Sequence, residues 1–185
     1  DARQPSGTAP DATSLAGGPV VLFVHGTLGR TDHSFGSFDR EWLRSVHERY
    51  HGRVIAFDHP TVSTSPAENA AAFVAWFVEH VEPVLDGRVL EIDVVAHSRG
   101  GLVAREIAEL APPGLTIRSI VFVATPNGGT PLCDAAHLGD LLDVATNLAA
   151  VVPDNPVADA LEIVLELVKD SAVGTALADL PGLGA

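Results

Sequence analysis

Four apolar runs alternate along the chain with segments of helical period. That alternation limits the fold more than any other feature. "PVVLFVHG" (19–26) is apolar almost throughout, which suits a strand buried on both faces. "RVIAFDHP" (53–60), "VLEIDVVAH" (89–97) and "TIRSIVFVATP" (116–126) read as three further short strands. Between them, "SFDREWLRSVHERYHG" carries Phe38, Trp42, Leu43, Val46 and Tyr50 at helical spacing, with Gly52 as its stop. "SPAENAAAFVAWFVEHVEP" opens with Ser65 as N-cap, Pro66 at the first helical position and Glu68 closing a capping box. Its apolar face is Phe73, Val74, Phe77, Val78 and Val81. "RGGLVAREIAELAPPG" is a third helix, ended by Pro112-Pro113-Gly114. Strands alternating with helices imply an α/β fold, a parallel sheet with helices on both faces.

Around this core, residues 1–18 are rich in Gly, Pro, Ser, Thr and Ala without periodicity and read as a tail or linker. The core is expected over 19–133. Residues 134–185 are expected to form an apolar helical cap. Asp140 and Asn155-Pro156 start its two helices, with Leu141, Val144, Leu148 and Val151 on one face and Val157, Leu161, Val164 and Val168 on another.

The chain has 185 residues, enough for one domain with a substantial core. Its 24 acidic and 11 basic residues give a formal charge of −13, which argues against nucleic acid as a partner. Cys133 is the only cysteine, so there is neither a disulfide framework nor a zinc site built on several cysteines. It reads as a buried apolar residue rather than a nucleophile. No apolar run reaches the ~18 residues of a membrane span. The opening residues lack the charged start and apolar centre of a signal peptide, so a cytoplasmic location is expected, with secretion after signal removal as the alternative.

In a parallel α/β sheet, ligands bind beyond the carboxyl ends of the strands. Three segments fall there: "HGTLG" (25–29), "HSRGG" (97–101) and "TPNGGT" (125–130). The second is a turn from a strand directly into a helix with Ser98 at its apex. A serine held in strained backbone geometry there needs small residues two before and two after it, and Ala96 and Gly100 occupy those places. Ser98 is the candidate nucleophile. The helix beginning beside it aims backbone N–H groups at a developing oxyanion, the first from Arg99. The second donor is expected from the loop after the first strand, from Thr27 or else Leu28, with Gly26 and Gly29 allowing close approach.

These motifs resemble those of the α/β-hydrolase superfamily, and most closely its lipase- and esterase-like serine hydrolases. The matching residues are His25-Gly26, Ala96-His97-Ser98-Arg99-Gly100-Gly101 and Thr125-Pro126-Asn127-Gly128-Gly129-Thr130, within about 19–133. The first position of A-x-S-x-G departs from the family's glycine. The resemblance implies that Ser98 attacks an ester, that backbone amides stabilise the tetrahedral intermediate, and that a mobile helical lid follows the "TP" segment. It also implies structural support from His25 and His97, an apolar acyl group in the substrate, and neither metal nor cofactor.

The family's acid and histidine follow the serine, and neither is evident in residues 1–185. Either the chain is one piece of a longer protein, or the base comes from a partner chain, or the triad is lost. Asn127 stands where some relatives carry the acid, and Asp134 is separated by the "GGT" turn. His137 is the only histidine after Ser98 and reaches it only if the cap folds over the elbow. His33 suits the pocket rim. His47, His51 and His80 suit outer helices, and His59 beside Asp58 suits a strand-ending turn. "HERYH" (47–51) matches the zinc pattern H-E-x-x-H, but Gly52 ends the helix there and no third ligand is evident. The expected activity is therefore ester hydrolysis through an acyl-enzyme on Ser98. Acyl transfer to another acceptor and a non-catalytic module of the same fold are the alternatives. The cap's outer face suits a twin subunit, a partner or a further segment of chain.

Overall fold

A computed structural model of the chain describes residues 10–129 apart from 28, 37 and 62. The expected cap (134–185), Cys133, Asp134 and His137 lie outside the described residues. Contacts divide the chain into two units. Residues 1–59 and 66–125 make one, and residues 60–65 and 126–185 make the other.

The first unit holds the sheet. Its strands are β1 (Val20–Val24), β2 (Val54–Phe57), β3 (Leu90–His97) and β4 (Leu115–Val123). They pair in parallel in the order β2-β1-β3-β4. The helices are α1 (Ala12–Leu15), α2 (Thr31–Phe35), α3 (Arg40–Arg49), α4 (Pro66–Trp76) and α5 (Gly100–Leu110). The α/β class expected from the alternation is the observed one.

The chain's apolar pattern matches this layering. Leu90, Ile92, Val94 and Ala96 alternate along β3 and point into one core. Phe73 of α4, with Val103, Ala104 and Ile107 of α5, closes over that face. Val21 and Phe23 of β1 point the other way, toward Phe35 of α2 and toward Phe38, Val46 and Tyr50 in and around α3. Covered on both faces, β1 is buried at every residue, which explains its unbroken apolar run. Beyond Trp76, α4 continues as a π turn over Phe77–Val81. This wider winding buries Phe77 and Val81 and leaves Val78, expected on the apolar face, exposed. Asp93, a carboxylate inside a strand, is tolerated because it accepts hydrogen bonds from Tyr50 Oη (2.8 Å), Ser119 Oγ (2.6 Å) and the Arg118 guanidinium. Among the described residues, β4 is one of the two edge strands, β2 being the other, and it leaves Val121 and Phe122 exposed.

One expectation fails at the amino end, where 12–15 is helix rather than tail. Asp11 caps it by accepting the Thr13 N–H at 3.0 Å, and Leu15 is 2 % exposed within the main core. The Arg88 guanidinium donates to Ala16 O at 2.8 Å and ties the segment down. A single leucine in a polar stretch carries no period, so the sequence pattern could not show its burial. Leu15→Ala is expected to lower the unfolding free energy by about 2–5 kcal/mol. Denaturant melts checks this, and a variant as stable as the parent would return the segment to a tail.

Candidate active site

The strand register assembles the site. Val24 pairs with both Phe57 and Ala96, and Ala96 pairs with Phe122. The residues that follow, His25-Gly26, Asp58-His59, His97-Ser98 and Ala124-Thr125, therefore leave the sheet at one edge.

β3 ends at His97 and α5 begins at Gly100, with Arg99 as its N-cap. Ser98 between them has φ +52°. An L-residue held in the left-handed region costs roughly 1–3 kcal/mol, so such a corner persists only where its surroundings enforce it. Two hydrogen bonds do so here. The Ser98 N–H donates to Val123 O at 2.8 Å, and Ser98 O accepts the Gly101 N–H at 3.0 Å. The glycines explain how a helix can begin so close to the sheet. A Cβ on Gly26 would lie 2.7 Å from Ser98 Cβ. A Cβ on Gly100 would run into the Val24 and His25 carbonyls, and one on Gly101 into the Thr125 side chain. The first two expected segments thus pack directly on each other, and Thr125 of the third reaches α5.

The loop after β1 is a tight turn. Gly26 O accepts the Gly29 N–H at 3.2 Å and pairs with His25 Nδ1 at 2.9 Å. Thr27 is a central residue of this turn, exposed, with an N–H that the turn itself does not use. Leu28 lies outside the described residues. A carbonyl can only accept, so His25 Nδ1 carries the proton. His25 Nε2 accepts the His59 N–H at 3.2 Å. His25 is 1 % exposed, and burial pulls its pKa below the ordinary value, so it is neutral. It ties the loop to its own backbone and to the end of β2, with both ring nitrogens occupied.

His59 does more than end a strand. Its ring stacks on His25 at 4.3 Å between centroids, and its Nδ1 donates to Phe57 O at 3.2 Å. Burial, and then the neighbouring His25, push its pKa down to about 4. Asp58 beside it accepts both the Thr31 N–H (2.8 Å) and the Thr31 hydroxyl (2.6 Å). Burial alone would raise the Asp58 pKa, but the Thr31 bonds outweigh it and hold the carboxyl below the usual range. Neither this lattice nor α2, which Thr31 opens, was visible in sequence. It depends on β1 and β2 being neighbours.

The remaining candidates are placed as follows. Ser98 is half-buried, and the Arg99 side chain is buried while its N–H sits at the start of α5. His97, expected to point away from the nucleophile, packs its ring against Gly26. Its Nδ1 lies 3.2 Å from the same Cβ position that Ser98 meets. Asn127 belongs to the second unit, in a turn closed by the Gly129 N–H on Pro126 O at 3.0 Å. The H-E-x-x-H match fails geometrically. α3 ends at Arg49 and His51 has φ +50°, so His47 and His51 do not share a helix face. His80 pairs with Trp76 O at 3.1 Å on an outer helix turn. Among the described residues, no histidine makes a hydrogen bond to Ser98 Oγ.

The two buried histidines generate a pH prediction. A histidine whose folded pKa is depressed supports folding fully above its ordinary pKa near 6.5. That support fades as the pH falls toward the folded value. Stability is therefore expected to drop between pH 6.5 and about 4, with His59 accounting for about 3 kcal/mol of the loss. Asp58 and Asp93, also depressed, act only below their ordinary value of 3.8. Unfolding free energies at pH 7 and 4.5, for the parent and His59→Phe, check this; a parent curve flat across that window would contradict it.

Two solved structures of phospholipase PlaB from Legionella pneumophila are similar to this chain. One is 20% identical, covers 66% of this chain and 28% of that chain, and has a TM-score of 0.52. The other, in complex with thio-NAD, is 20% identical, covers 62% and 27%, and has a TM-score of 0.48. The likeness with the first is one of fold, a parallel α/β sheet flanked by helices as in a lipase structure. The chain spans less than a third of either phospholipase chain. No curated protein matches the sequence. The sequence model of DUF7379, a domain of unknown function, matches residues 1–185, and the chain belongs to that family.

Proposed function

We propose that the chain carries the nucleophile and oxyanion loops of a lipase- or esterase-like serine hydrolase that cleaves a carboxylic ester through an acyl-enzyme on Ser98. The observation that carries this reading is the left-handed Ser98 at the junction of β3 and α5, packed on Gly26. Strain of this kind concentrates at functional sites. The fold shared with a phospholipase adds support.

In the proposed reaction Ser98 Oγ attacks the acyl carbonyl carbon and gives up its proton. The carbonyl oxygen becomes an oxyanion facing the N–H groups of Arg99 and Thr27. Collapse breaks the ester bond, the alcohol leaves with a proton, and the acyl group stays on Ser98. Water then attacks the acyl-enzyme and releases the acid. Neutral Ser98 is a poor nucleophile without a general base. Among the described residues no histidine makes a hydrogen bond to Ser98 Oγ, so this reading draws the base and its acid from outside them. An ester with an apolar acyl group is the proposed substrate, on the strength of the family resemblance.

Intact-mass measurement after treatment with a fluorophosphonate tests the proposal. The parent is expected to gain a single phosphonyl group and Ser98→Ala none. Ester turnover is expected to fall about 10³-fold or more in Ser98→Ala. An unmodified parent would favour a non-catalytic module of this fold. Gly26→Ala drives a methyl into Ser98, and its modification rate is expected to fall about 10²-fold. A Gly26→Ala rate equal to the parent's would detach the loop after β1 from the site.

A further inference from the structure

The elbow at Ser98 has a counterpart one strand away. β4 ends at Val123, and the next residue, Ala124, has φ +52°, the same left-handed geometry as Ser98. The two corners are joined, because the Ser98 N–H donates to Val123 O. Past its strained corner the chain lays Thr125 on the first turn of α5. The three heavy atoms nearest to a Cβ at residue 101 are all in the Thr125 side chain, with Thr125 Cβ at 2.7 Å. Gly101 in turn donates its N–H to Ser98 O. A chain of contacts thus runs from Ala124 through Thr125 and Gly101 to the Ser98 carbonyl.

The contact is one of shape. Thr125 Oγ1 is buried and has no hydrogen-bond partner among the described residues, so its hydroxyl does not anchor it. Its Cβ, Cγ2 and Oγ1 fill the space that a side chain at 101 would need. A cramped apposition of this kind passes a displacement of a few tenths of an ångström onward, because packed interiors yield little.

From this we infer that Thr125 is a positioning residue for Ser98, acting through Gly101 to hold the first turn of α5, and with it the Ser98 carbonyl and the Arg99 N–H, in reactive geometry. The inference rests on Ser98 being the nucleophile and names a residue that the nucleophile and oxyanion loops do not include.

The test measures the rate of Ser98 phosphonylation by a fluorophosphonate on the full chain, resolving probe binding from the covalent step. Thr125→Ala and Gly101→Ala are each expected to slow the covalent step about tenfold or more with little change in probe binding. The double variant is Thr125→Gly with Gly101→Ala, read against Thr125→Gly and Gly101→Ala alone; glycine at 125 removes the Cβ that Thr125→Ala would leave 2.7 Å from the one added at 101. Its rate is expected to recover to within about threefold of the parent, a coupling that independent sites do not show. Melting temperatures follow the fold in parallel. A folded double variant as slow as the two single losses multiplied, or a folded Thr125→Ala with the parent's rate, overturns the positioning role. So does a loss confined to probe binding. If Gly101→Ala does not fold, Thr125→Ala decides alone, because it only removes atoms. A parent that takes no phosphonyl group overturns the nucleophile reading, and the positioning role with it. A modified parent with uncoupled variants overturns the positioning role alone.

Discussion

Helix α5 starts where almost no room exists for it, and the carboxyl edge of the sheet is arranged around that constraint. Its first turn lies against the carbonyls of Val24 and His25 on one side and against Thr125 on another. Backbone can approach this closely only where Cβ atoms are absent, and glycines stand at 26, 100 and 101. The strand-to-helix corner then has a single residue in which to turn, and Ser98 takes the left-handed geometry. The strain is held by hydrogen bonds from both ends of the corner, the Ser98 N–H to Val123 and the Gly101 N–H to the Ser98 carbonyl.

A second, polar layer holds the loop after β1. His25 spends one ring nitrogen on Gly26 and the other on the backbone of His59, so a neutral imidazole welds β1's loop to the end of β2. Asp58 secures the start of α2 through Thr31. Burial keeps both histidines neutral, and a buried neutral imidazole donates at one nitrogen and accepts at the other. This division of donor and acceptor makes His25 a structural group.

Much of this was legible in the chain itself. The four strands were readable because both-faces burial writes itself as unbroken apolar runs, and β1 is buried at all five positions. The elbow was readable because a strand, a serine between small residues and an amphipathic helix follow one another without a gap. Other features were hidden. Leu15 anchors the amino end through one side chain, which leaves no period. His59 reads as a turn residue until β2 is placed beside β1. His47 and His51 matched a zinc pattern by spacing alone, and the end of α3 at Arg49 separates them.

By itself, then, the sequence determined the order of the four strands and the three longer helices, the parallel α/β class and the identity of the apex serine, because periodicity and turn chemistry are local properties. Only the tertiary structure decided which residues meet at the apex. Gly26 against Ser98, His25 against His59, Val123 bonded to Ser98 and Thr125 against Gly101 each join segments from different strands or helices. Those meetings follow from the strand order β2-β1-β3-β4 and its register. Order and register arise from the packing of the whole sheet, which no short stretch of sequence encodes.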